Sequence, residues 1–127
     1  MRDHYDIILC TCNETASGRM LQLAKEKRIA QCIVDESGMT HEPETIAAVS
    51  LCNHVVLIGD HKQLQPVIKY SPARENGMST SLFERYAEHF PSGLLITLDT
   101  QYRMVRVLFS LTSTSLCSIV PFVSLVA

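Results

Sequence analysis

Apolar residues fall along the chain in short runs that end in charge, glycine or proline. Tyr5-Asp6-Ile7-Ile8-Leu9-Cys10-Thr11 is rich in β-branched side chains and predicts a strand entering a polar turn at Asn13-Glu14. Ala16 to Lys27 has the length of a short helix. Ala30-Gln31-Cys32-Ile33-Val34 is a second apolar run, and it stops at Asp35-Glu36. Glu42-Pro43-Glu44-Thr45 places proline and acids in a first helical turn, so a helix is expected from there to near Cys52-Asn53. His54-Val55-Val56-Leu57-Ile58 follows as a third run, again closed by an acid at Gly59-Asp60. Pro72 and Gly77 mark a loop over 71–80, after which Ser81 to Tyr86 begins a helix with Leu82, Phe83 and Tyr86 on one, core-facing, side. Pro91-Ser92-Gly93 then breaks the chain before a fourth strand, Leu94-Leu95-Ile96-Thr97-Leu98, which delivers Thr100-Gln101-Tyr102-Arg103-Met104 at its end.

Strand, crossover helix and strand make a βαβ unit, which predicts that the second and third runs lie parallel in one sheet. Their carboxyl ends then share an edge. Open α/β sheets bind ligands at that edge, so Asp35, Glu36, Asp60 and Gln63 are expected to face one crevice.

Composition narrows the field. With 127 residues and 46% apolar content the chain can build one ordinary core. A formal charge of -2 argues against a broad basic face, so any contact with nucleic acid must be local. The five cysteines are an odd number and follow no secretory signal, which points to a reduced, intracellular setting, cytoplasmic or nuclear. Cys10-Thr11-Cys12 lacks zinc-knuckle spacing, and small buried hydrophobes are the simpler reading of these thiols. From Val107 to Ala127 no residue is charged. That stretch is long enough to span a bilayer, yet its hydroxyls and Pro121 weigh against an anchor, and no membrane partner is expected.

An apolar strand ending in Asp-Glu has the form of a Walker B element. Asp35 would hold the magnesium of a nucleoside triphosphate and Glu36 would polarise the attacking water. A capping or solvated acidic pair is the plainer alternative for these two residues. Gln63, a few residues past the next strand, can orient a water or touch a γ-phosphate, because an amide both donates and accepts without charge. Its plain alternative is a loop amide bonded to nearby backbone. Arg103 offers phosphate a planar donor fork, with a surface salt bridge as its alternative. For His61 and Lys62 solvent exposure is the expectation.

The order Cys10-Thr11-Cys12, Asp35-Glu36-Ser37-Gly38 with Glu42-Pro43-Glu44, Gly59-Asp60-His61-Lys62-Gln63-Leu64-Gln65-Pro66, Ser81-Leu82-Phe83-Glu84-Arg85 and Gln101-Tyr102-Arg103-Met104 resembles superfamily 1 helicases of the up-frameshift (nonsense-mediated-decay) type. Zinc-finger-bearing helicases are similar in the Gly-Asp-His-Lys-Gln-Leu segment. The resemblance covers about residues 5 to 104. It implies an α/β fold: a partial RecA-like (P-loop NTPase) parallel sheet with flanking helices, lacking the phosphate-loop strand. It implies ATP and magnesium as cofactors, with Asp35 on the metal, Glu36 as base, Gln63 as phosphate sensor and Arg103 near the γ-phosphate. It also implies an RNA or DNA single strand as partner, touched by Thr11, together with the remainder of the helicase core.

Two departures qualify this. No Gly-x-x-x-x-Gly-Lys-Ser/Thr loop occurs in the sequence, and no second RecA-like domain follows. The chain is therefore expected to be the C-terminal half of a first RecA-like domain over 1–104, with a divergent tail over 105–127 arising from truncation or splicing. It is not expected to hydrolyse ATP efficiently alone, and a non-catalytic binding or regulatory module is the alternative. The family sheet places the phosphate-loop strand beside the strand that carries Asp60, so that strand is expected to have an open edge.

Overall fold

The computed structural model describes residues 6–27, 29–89, 95–98 and 120–126. Two helices, α1 (Cys12–Thr15) and α2 (Gly18–Glu26), precede strand β1 (Ile29–Val34). Helix α3 (Glu42–Val49) leads to β2 (Cys52–Ile58). A short turn α4 (Ser71–Ala73) continues into a π-turn (Arg74–Met78), and α5 (Leu82–His89), β3 (Leu95–Leu98) and β4 (Val120–Val126) complete the set. Side-chain caps fix the helix starts: Ser17 Oγ accepts the Met20 N–H, and Ser81 Oγ accepts the Glu84 N–H. At its other end α3 closes earlier than expected, because the Ser50 hydroxyl and N–H both turn back onto its last carbonyls. That frees Cys52 and Asn53 to begin β2.

The sheet order is β1-β2-β4-β3. β1 and β2 run parallel, with Ile29 opposite Cys52 and Val34 opposite Leu57, as the βαβ pattern predicts. β4 runs antiparallel to both β2 and β3, so β3 points the same way as β1 and β2. Leu57 and Leu95 both pair with Val123, so β3 begins where β2 ends and its carboxyl end, at Leu98, lies two rungs beyond Ile58. The core lies on one face of the sheet, where Val34, Val55 and Leu57 meet Ala48 of α3 and Phe83 of α5. Phe83 and Leu57 are fully buried, so the Leu82-Phe83 stripe packs as its spacing predicts.

Three expectations are corrected. The sheet is mixed rather than wholly parallel, because Val120–Val126 enters it in the antiparallel sense. The flank of β2 is not open: β4 pairs with it over His54 to Ile58, satisfying the backbone groups that an interior strand must pair. And the apolar run at 7–11 forms no strand. It pairs with no neighbour in the sheet, and Ile7 and Leu9 are 78% and 92% exposed; apolar residues alone do not make a strand without a ladder to join. Tyr5 lies outside the described residues.

Candidate functional site

The last rung of the β1/β2 ladder, Val34 with Leu57, brings the chain to Asp35 on one strand and Ile58 on the other. There the two strand ends are fastened together. The N–H and the hydroxyl of Ser37 both donate to the Ile58 carbonyl, each at 2.8 Å, and Ser37 is fully buried. Two glycines allow the approach. A Cβ on Gly38 would lie 2.8 Å from the carbonyl oxygen of Asp60, and one on Gly59 would lie 2.7 Å from the Gly38 nitrogen. Both obstacles are backbone, which cannot swing aside.

On this joint sit the two acids. Asp35 and Glu36 are exposed, and Asp35 Oδ1 accepts the Glu36 N–H at 3.0 Å. Glu36 has φ of 52°, in the left-handed region where a side chain costs about a kcal/mol or more. Its carbonyl holds the turn by accepting the Met39 N–H at 3.0 Å and the Thr40 hydroxyl at 3.4 Å, while its carboxylate bonds to no group among the described residues. The structure thus holds a strained acid out at the sheet edge.

Asp60, at the end of β2, is buried and fully engaged. Its Oδ1 accepts the Lys62 N–H at 2.9 Å and its Oδ2 accepts from Gln63 Nε2 at 2.8 Å. Asp35, Glu36 and Gln63 therefore emerge from two strand ends joined at Ser37, Gly38, Gly59 and Asp60. His61 departs from its expected exposure. Its ring turns in towards Phe83, with centroids 6.3 Å apart, and its buried Nδ1 finds no partner among the described residues. Lys62 is exposed as expected.

Thr11 is exposed at the N-cap of α1, where its Oγ1 accepts the Glu14 N–H at 3.3 Å and its O–H remains free to donate. Arg103, with the rest of Gln101 to Met104, lies outside the described residues.

Two side-chain links, invisible in the local sequence, tie the motifs together. Arg85 of α5 makes a two-pronged ion pair with Glu42 of α3 at 2.9 and 2.8 Å. Glu84 accepts from Gln65 Nε2 at 3.2 Å, tying α5 to the loop that carries Gln63. No local spacing signals such pairs, because their partners are 43 and 19 residues apart. The role of Asp60 had a visible sign: an acid two and three residues before its partners is the pattern of an Asx turn. Against the core cluster, burial raises the Cys12 and Cys52 thiols above their ordinary range and, with Cys52 close by, pushes Cys32 up to about 11.

Magnesium suits this edge. Among the described residues no three His, Cys, Asp or Glu side chains stand together as a metal cage, and Asp35 presents a single exposed carboxylate with one oxygen uncommitted. A magnesium ion asks for one or two carboxylates and fills its remaining positions with water and phosphate.

A family model described as AAA domain matches residues 1–71, more than half of the chain. The chain belongs to the AAA-domain family. Within it the sequence is that of a superfamily 1 helicase of the up-frameshift type. It is 44% identical over 105 residues to the human protein "3'-5' exoribonuclease HELZ2", covering 80% of this chain and 3% of that one. It is 39% identical over 101 residues to "Regulator of nonsense transcripts 1 homolog" of Neurospora crassa, covering 78% of this chain and 9% of the relative. Over 102 residues it is 37% identical to "ATP-dependent helicase NAM7" of Saccharomyces cerevisiae, at 78% and 10% coverage. The chain thus spans a tenth or less of the length of these relatives.

Proposed function

We propose that this helicase-family segment is the magnesium-holding and phosphate-sensing half of an ATP-driven nucleic-acid motor, and that it does not turn over ATP alone. The observation that carries the reading is the fastening of the Asp35-Glu36 turn to the Gly59-Asp60 end, which sets three hydrolytic residue types on one sheet edge. Magnesium, when bound with the nucleotide, would neutralise charge developing on the transferring phosphate. Asp35 would hold it, Glu36 would accept a proton from the attacking water, and Gln63 would orient that water. Arg103 would approach the γ-phosphate, and Thr11 would donate to a phosphate oxygen of a single RNA or DNA strand.

Two features support inactivity in isolation. The sequence has no lysine-bearing phosphate loop, and β4 occupies the flank of β2 where the family resemblance places the strand that leads into that loop. The reading divides the chain at about residue 104, with the later segment serving the sheet through β4 rather than the chemistry. The four described cysteines are free thiols, which suits an intracellular protein, and among the described residues no helix is long and apolar enough to cross a membrane.

A magnesium-dependent ATPase assay of the chain, with and without single-stranded RNA, tests this. No phosphate release above that of Glu36→Gln is expected. Turnover that Glu36→Gln abolishes would show instead that the chain is an enzyme by itself.

A further inference from the structure

The buried Asp60, to which the reading above gives no role, is bonded to the exposed Gln63. Asp60 is only 7% exposed, and both of its carboxylate oxygens are occupied. Oδ1 is held by the Lys62 N–H, so the carboxylate cannot rotate without losing a main-chain partner. Oδ2 takes Gln63 Nε2 at 2.8 Å. A carboxylate can only accept, so the Gln63 carboxamide must turn its nitrogen inwards and leave its oxygen outwards. The backbone of Asp60 is fixed as well. Its carbonyl oxygen lies where a Cβ on Gly38 would be 2.8 Å away, so it abuts the turn that carries Asp35 and Glu36.

We propose that Asp60 is the positioning residue of this edge: it locks the Gln63 carboxamide with Oε1 facing the crevice and transmits the position of the Asp35-Glu36 turn to it. Gln63 then meets a water chiefly as a hydrogen-bond acceptor, with one N–H left to donate, instead of presenting its whole amino group to phosphate. Movement of the Gly38 turn presses on the Asp60 main chain and so re-aims Gln63. The functional meaning of this device rests on the nucleotide reading proposed above, but the device itself does not.

The test is nuclear magnetic resonance of the isotope-labelled chain, read at the Gln63 side-chain amide. The two Nε2 protons are expected to be resolved from the values of a free glutamine and to exchange slowly with water. Asp60→Asn keeps an acceptor for the Lys62 N–H and turns an amino group towards Gln63. That variant should return the Gln63 pair to free-glutamine values while the Lys62 amide stays in place. Adding Gln63→Glu to Asp60→Asn supplies an acceptor for the new donor and should restore the native Gly38 signal. Asp35→Asn should leave the Gln63 pair unmoved. Should Asp60→Asn fail to fold, Gln63→Ala at its exposed position serves instead, and the Asp60 carboxyl carbon should shift. A native Gln63 pair with free-glutamine values, a pair indifferent to Asp60→Asn, or an Asp60 carboxyl carbon indifferent to Gln63→Ala overturns the proposal. Titration with magnesium and ATP reads the other question: a Gln63 pair that never moves counts against the nucleotide reading and leaves the Asp60 lock standing.

Discussion

Three small features make the site: two glycines and one strained glutamate. Gly38→Ala and Gly59→Ala each drive a methyl group into backbone at under 3 Å, and each is expected to lower unfolding free energy by about 1–3 kcal/mol in urea titrations. An unchanged midpoint for both would show that the strand ends are not in contact. Glu36→Gly and Glu36→Ala remove the same carboxylate, but only glycine relaxes a φ of 52°; the glycine variant should be the more stable of the two by about 1 kcal/mol. At an ordinary exposed position the order would be reversed. Much of this scale was legible in the sequence. Asp35, Glu36 and Gln63 could be picked out because each follows an apolar run, and a strand's end is where a polar group reaches a ligand. The inward turn of His61 was not legible, since only the position of Phe83, 22 residues later, decides whether that ring meets solvent or core.

Between elements, the tie from α3 to α5 is the exposed pair Glu42 and Arg85, whose two-pronged geometry favours it over most surface pairs. A double-mutant cycle with Glu42→Gln and Arg85→Gln should give a coupling of about 0.5–1 kcal/mol, and added salt should shrink it. The half-buried thiols give the β1/β2 layer a pH limit. Cys32 titrates at about 11 in the folded chain against 9.0 as the ordinary value, so the folded state keeps its proton longer than the unfolded state. Stability should be indifferent to this thiol below that ordinary value and fall as pH rises from there towards 11. Cys32→Ala should flatten the fall, as read by thermal melts in alkaline buffers. The β1-α3-β2 unit was readable because its apolar periods are clean and its helix start is marked by Glu42-Pro43-Glu44. The run at 7–11 misled for a physical reason: composition reports what a segment would bury as a strand, while pairing decides whether it becomes one.

At the level of the whole molecule, the C-terminal strand closes the sheet. β4 is the only element of the described residues that pairs with both β2 and β3. Deleting 120–126 should leave two bare edges and give larger species than the full chain by light scattering, because open edges recruit further strands. A truncated chain with the same scattering mass per chain and an undiminished melt would mean that β4 contributes nothing to covering these edges. Its place could not be foreseen from the sequence, since an uncharged stretch with scattered hydroxyls carries no period that fixes direction or neighbour. Whether the two strand ends form one magnesium-nucleotide edge is decided by manganese. Titrating the labelled chain with manganese and ATP should broaden the signals of Asp35, Glu36, Asp60 and Gln63 together, and Asp35→Asn should remove the effect at all four. Broadening that spares either strand end, or that survives Asp35→Asn, would contradict the account.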